Sequence, residues 1–196
     1  MQKNWFLVFI GMLLCTSNCH GLAFFRQRLD NFFAVEKGAL YRSRQLSPRR
    51  LQHYLKKHNI KTVINLRGTN THKHWWRQEL AAVDALDVKF FNISMNASGM
   101  SSKNNLVKLL SLYQNAPKPI LIHCKSGTDR TGEAAALWVL EQQKRSKKAA
   151  LKQFSFLKHG YITRRRPAKK LLIKIWQNYQ WLVERYNPCH YAQLFS

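Results

Sequence analysis

The sequence predicts an α/β fold: a central, largely parallel sheet flanked by helices on both faces. Apolar runs of strand length alternate with segments of helical periodicity, the pattern that buries a parallel sheet between helices. Residues 119–140 give the repeating unit in its plainest form: a buried strand, a loop and a helix. The chain has 196 residues, 45% of them hydrophobic, enough for one domain with a full core. Residues 22–196 are read as that domain.

Each element has a local warrant. Residues 32–35 and 39–41 read as short strands around the turn Glu36-Lys37-Gly38. Ser47-Pro48 reads as an N-cap followed by proline at the first helical position. The helix it opens runs to about His58, with Leu51, Tyr54 and Leu55 on its apolar side. Residues 61–66 are strand, ending at Arg67-Gly68; residues 75–86 are helix; residues 88–93 are strand. Residues 102–113 form an amphipathic helix with Leu106, Leu109, Leu110 and Tyr113 on one side. After the strand 119–124 and the Ala-rich helix 131–140, residues 147–157 and 167–186 read as two further helices.

Between that strand and helix stands His123-Cys124-Lys125-Ser126-Gly127-Thr128-Asp129-Arg130-Thr131-Gly132. A strand–loop–helix unit aims the unpaired N–H groups of the helix start into the loop, and that end attracts anions. Gly127 can take the positive φ that lets successive amides curl into a nest, and Arg130 adds a planar fork matched to two phosphate oxygens. Cys124 at the bottom of such a cup is expected to be a thiolate, and so a nucleophile in line with a bound phosphate. Ser126, Thr128 and Gly132 complete the candidate phosphate-binding loop. A metal site is a poorer reading, because no second Cys or His lies at ligand spacing from His123 and Cys124. No cofactor is implied.

These residues resemble the His-Cys-x5-Arg-Ser/Thr loop of cysteine-dependent phosphatases, matched by His123, Cys124, Gly127, Arg130, Thr131 and Gly132. Residues 40–47 (Leu-Tyr-Arg-Ser-Arg-Gln-Leu-Ser) and 63–68 (Val-Ile-Asn-Leu-Arg-Gly) also look like the bacterial, periplasmic dual-specificity or tyrosine phosphatase-like branch. The resemblance implies hydrolysis of phosphomonoesters through a cysteinyl-phosphate on Cys124. It implies that Thr131 assists release of the phospho-enzyme, that His123 holds the loop, and that Lys125 meets extra negative charge on the substrate. Many relatives supply an Asp acid from a separate upstream loop. Here residues 94–103 contain no carboxylate, and no Asp or Glu occurs between Asp87 and Asp129. Asp129 is the substitute, as in some phosphoinositide phosphatases of the superfamily. The expected substrate is a protein phosphotyrosine or phosphoserine/threonine, with a phosphoinositide or inositol phosphate as the alternative. A phosphate-binding pseudophosphatase lacking a competent acid is the rival from another class. Arg42 is expected in a structural ion pair.

Charge and the N-terminus add the setting. Thirty-three Lys and Arg against nine Asp and Glu give +24, which suits a polyanionic substrate or an anionic membrane surface. The densest basic run is Arg164-Arg165-Arg166 with Lys169 and Lys170, read as a mostly solvated face. Nucleic acid is disfavoured, because aromatics are not interleaved with the basic runs as in stacking platforms. Residues 1–21 read as a signal peptide: Lys3, an apolar run too short to span a bilayer comfortably, then small residues. The expectation is export to a bacterial periplasm or secretion, with an uncleaved membrane anchor as the alternative.

Overall fold

The computed structural model describes residues 29–195; the leader read over residues 1–21 lies outside them. Five strands form one sheet: β1 (Phe33–Glu36), β2 (Leu40–Ser43), β3 (Thr62–Asn65), β4 (Lys89–Asn92) and β5 (Ile120–His123). Their order is β1-β2-β5-β3-β4. Only β1, joined to β2 by the Gly38 turn, runs antiparallel; the pairings β2–β5, β5–β3 and β3–β4 are parallel. The helices are α1 (Pro48–Lys57), α2 (His74–Asp84), α3 (Lys103–Asn115), α4 (Asp129–Glu141), α5 (Lys147–Leu151), α6 (Phe156–His159), α7 (Pro167–Ile175) and α8 (Tyr179–Glu184).

Side-chain alternation along the strands divides the core in two. Leu40, Ile64, Ile120 and Ile122 pack into a cluster closed by Leu106 and Leu109 of α3, Leu137 of α4, and Leu172 of α7. Tyr41, Val63 and Leu121 point the other way, against Leu51, Tyr54 and Leu55 of α1 and Ala82 and Val83 of α2. Both faces are therefore covered, as parallel strands with continuous apolar runs require. The largely parallel sheet between two helical layers is as the sequence predicts.

Four local expectations need correction. The helix expected over 167–186 breaks at Trp176. Its backbone is extended there, its indole Nε1 donates to Glu141 Oε1 at 2.6 Å, and Asn178 caps a new helix by accepting from Trp181 N at 2.8 Å. The helix expected over 147–157 ends at Leu151; a 3-10 turn sends Phe154 into the core, and Ser155 caps α6. Ser47 precedes α1 but its side chain makes no capping bond. Lys169, read as part of a solvated basic run, is fully buried.

That lysine organises the top of one layer. Its Nζ lies 2.7 Å from Glu133 Oε2 on α4, and Ser101 Oγ donates to the same oxygen at 2.7 Å. Tyr186 Oη adds a bond to the Ser101 carbonyl at 2.7 Å. The network joins α7, α4 and the segment before α3. Burial pushes the Glu133 carboxyl up, against the stabilising charge and hydrogen bonds of Lys169 and Ser101. Lys169→Met should leave Glu133 buried without a counter-charge and lower stability by about 3–5 kcal/mol, read from the shift in denaturant midpoint at neutral pH.

Candidate active site

β5 is the central strand, and the loop at its carboxyl end is where ligands collect in open parallel sheets. Cys124 follows β5 directly and is 1% exposed; Arg130 and Thr131 stand in the first turn of α4. The loop's shape is imposed from outside. Gln45 N donates to the Lys125 carbonyl at 3.2 Å, Asn31 Nδ2 to the Ser126 carbonyl at 3.0 Å, and Arg42 Nη2 to the Gly127 carbonyl at 2.8 Å. In a trans peptide the next N–H points opposite to the carbonyl. Three successive carbonyls held outward therefore aim the amides of Ser126, Gly127 and Thr128 inward, the nest an anion needs. Thr128 Oγ1 ties the loop to α6 through the His159 carbonyl at 3.0 Å, and its own carbonyl accepts from Gly132 N at 2.8 Å.

Gly127 has φ +74°, and a Cβ there would lie 2.6 Å from Arg44 N and 2.7 Å from the Ser43 carbonyl carbon and oxygen. The end of β2 thus packs directly on the loop backbone. Among the described residues Arg42 belongs to no ion pair with a carboxylate, contrary to the sequence expectation. It is fully buried and spends its guanidinium on the Gly127 carbonyl and on the backbone and side-chain oxygens of Gln153, at 2.9 and 3.0 Å. Burial lowers its pKa to about 10, with Cys124 acting in the opposite sense, so it stays a cation at neutral pH.

Burial alone would raise the Cys124 pKa, but a wholly donor environment lowers it. The Thr131 hydroxyl, the charge of Arg130 and the amides of Thr131 and Gly127 all favour the thiolate. Thr131 Oγ1 is buried with no hydrogen-bond partner among the described residues, so its hydroxyl is uncommitted and near enough to favour the thiolate. His123 is buried with Nε2 2.8 Å from Glu79 Oε1 on α2. Burial favours the neutral ring, yet Glu79 and Cys124 together raise its pKa, which biases His123 toward the cationic form that would support the thiolate from behind. Asp129 is half-buried. Burial raises its pKa against the charges of Arg166, Lys169 and Arg130, which moves it toward the proton-bearing form. Lys125 and Ser126 are exposed at the rim.

The upstream loop holds no acid and is pinned at both ends. Asn105 Nδ2 bonds the Ser94 carbonyl at 2.6 Å, Ser101 is locked by Glu133 and Tyr186, and Met95 and Met100 are buried. Asn96 turns its exposed tip by accepting from the amides of Ser98 and Gly99. Among the described residues no cluster of His, Cys, Asp or Glu could hold a metal ion.

Sequence reasoning passed over the clamps from Asn31 and Gln45, the Glu79–His123 pair, and Arg67. Arg67 lies just past the carboxyl end of β3, one residue beyond the level of Cys124 on the neighbouring β5, and that strand-end position was the available signal. Of the adjacent tryptophans at the start of α2, Trp76 is buried, with its Nε1 on Asn92 Oδ1 at 3.0 Å, whereas Trp75 lies half-buried beneath the Arg67 guanidinium.

A thiol biased to ionise inside a cup of amides and guanidinium defines a cysteine-dependent phosphatase. The family described as "DSP-PTPase phosphatase fused to NAD+ Kinase" matches residues 23–168, and the chain belongs to it. No curated protein matches the sequence significantly. Among solved structures, TpbA of P. aeruginosa is 22% identical, with a TM-score of 0.61 over 78% of this chain and 88% of its own. The catalytic core of the PP-IP phosphatase SIW14 from S. cerevisiae, solved with citrate, is 21% identical, with a TM-score of 0.62 over 75% and 85%. PTPMT1 is 14% identical, with a TM-score of 0.56 over 79% and 97%. These likenesses share the fold, and the chain is a hydrolase of the phosphatase class.

Gly127→Ala should displace the loop from β2 and lower kcat/KM on an aryl phosphate by more than about tenfold, or ~1.4 kcal/mol. Steady-state kinetics beside a thermal melt reads this; loss of the melt without loss of rate would contradict the packing argument.

Proposed function

We propose that the chain hydrolyses phosphomonoesters through a phosphocysteine intermediate. The single observation behind this reading is the buried, low-pKa Cys124 enclosed by inward amides, Arg130 and Thr131. Cys124 Sγ attacks phosphorus as the bond to the leaving oxygen breaks. Arg130 and the amides of residues 126–128 hold the equatorial oxygens, whose charge grows toward the transition state. Asp129 gives its proton to the leaving oxygen. Its carboxylate then takes a proton from water as that water attacks phosphorus, and the S–P bond breaks to return the thiolate and inorganic phosphate. Thr131 stabilises the departing sulfur.

Two substrate classes fit. A phosphotyrosine or dual-specificity protein substrate is supported by the likeness to TpbA, which has also been solved as a variant bound to pTyr. A small polyanionic ester, an inositol phosphate or phosphoinositide, is supported by Lys125, by Arg67 beside the cup and by the likeness to a PP-IP phosphatase. The excess of cations over carboxylates around the loop favours the second class. The enzyme is read as exported, with residues 1–21 removed; the N-terminal mass of envelope-localised protein tests this, and intact Met1 on cytoplasmic protein would refute it.

Activity should rise with pH as Cys124 ionises, below the usual thiol range. It should fall as Asp129 loses its proton, above the usual carboxyl range, so the optimum is mildly acidic. Asp129→Asn should reduce turnover of an alkyl phosphate by the 10²–10⁴ typical of acid catalysis, roughly, and affect an activated aryl ester far less. Equal losses on both would instead make Asp129 a loop-shaping residue. Cys124→Ser should abolish turnover of either ester while still binding phosphate; a comparable rate in that variant sinks the mechanism.

A further inference from the structure

We infer that Arg67, held by Trp75, Gln45 and Asn65, forms a second anion subsite beside the cup that takes a second phosphate on the substrate. The inference rests on the phosphomonoesterase reading and adds to it a residue and a ligand chemistry. Position comes first. β3 runs parallel to β5 with Asn65 level with His123, and Leu66 N donates to the His123 carbonyl at 2.8 Å. Leu66 therefore leaves β3 level with Cys124 as it leaves β5, and Arg67 follows one residue on, level with Lys125 of the phosphate loop. Gln45, whose amide clamps the Lys125 carbonyl, accepts from Arg67 Nη1 at 3.0 Å, so one residue links this guanidinium to the phosphate loop.

Orientation comes second. Asn65 Oδ1 accepts from Arg67 N at 2.9 Å, and Gly68, with φ +78°, turns the chain tightly against Ser94. The guanidinium carbon lies 3.5 Å from the Trp75 ring centroid. An indole under the planar group covers one face and leaves the N–H edge for a ligand, a pre-organised version of the fork that grips phosphate oxygens. Apart from the bond to Gln45, no donor of that fork has a partner among the described residues, and no carboxylate pairs with it.

Charge balance comes third. Arg67, half-buried, has its pKa lowered first by burial and then by Arg130, while Glu79 and Cys124 oppose that effect. Glu79 is already committed to His123. Two guanidinium groups so placed repel each other until anions lie between them, and a single phosphate engages the cup alone. A second phosphate on the same small molecule relieves the remaining excess.

The test uses the full chain carrying Cys124→Ser, so that binding is read without turnover, at physiological ionic strength, where distant surface lysines are screened. An inositol monophosphate and an inositol bisphosphate are titrated calorimetrically. The corresponding phosphatidylinositol headgroups in phosphatidylcholine vesicles form a second arm. The bisphosphate should bind at least about tenfold more tightly in one or both arms, a difference expected of one added charge-assisted fork. The arm that shows the preference identifies the source as free or lipid-borne. Adding Arg67→Gln should collapse that preference below about threefold, with Arg67→Lys and Trp75→Leu intermediate because each spoils the oriented fork. A preference that survives Arg67→Gln, or none in the Arg67 chain, overturns the subsite. Absence of aryl phosphatase turnover in the unmodified chain would sink the underlying reading separately, since these titrations need no chemistry.

Discussion

The bond from Arg42 to the Gly127 carbonyl is the constraint around which the rest is arranged. An anion cup made of backbone amides has no side chain to hold it open, and nothing intrinsic to the sequence 124–130 forbids the carbonyls from turning inward. Three donors from the first strands and their flanks settle the matter by holding three consecutive carbonyls outward. Arg42 is the innermost of them. A guanidinium stripped of water is costly unless its donors are used and an opposite charge is near. Gln153 takes Nη1 twice, Nε is left without a hydrogen-bond partner among the described residues, and Cys124, whose thiol is biased to ionise, favours the cation. The clamp and the nucleophile therefore stabilise one another: the cation shapes the loop, and the ionised sulfur makes the buried cation tolerable.

The same reciprocity recurs one layer out. His123, the last residue of β5, is biased toward its cationic form because Glu79 reaches it from α2. Glu133, one turn beyond Asp129 on α4, is compensated by Lys169 from α7. Each buried charge is answered from a different element, so the helices on both faces of the sheet are oriented relative to the loop by charge as well as by apolar packing. Among the described residues most of the positive excess stays at the surface, while the interior carries the pairs Glu79–His123 and Glu133–Lys169 and the Arg42 clamp.

Sequence reading reached the sheet and the loop because both are written locally. Apolar runs with strand length separate from 3.6-residue periodicity, and a Cys and an Arg six positions apart at a helix start have few other uses. What it missed is relational. Arg42 gives no hint in its own neighbourhood that its partner is a carbonyl near residue 127, and Lys169 looks like its basic neighbours until α7 turns it inward. Arg67 and Gln45 meet only because β2 and β3 flank β5, an order that short-range patterns do not specify. The break at Trp176 was hidden by an apolar stripe that continues in phase through it; Asn178, an N-cap type, was the local mark of a restart.

The pinned upstream loop has a kinetic consequence. With Ser94 and Ser101 both anchored, movement of this loop over a bound ester is confined to its short exposed tip at residues 96–98. Enzymes that close a flap commit their substrate and are often limited by reopening. Here this loop offers little such closure, and the cations around the cup make the approach of an anionic ester dependent on ionic strength.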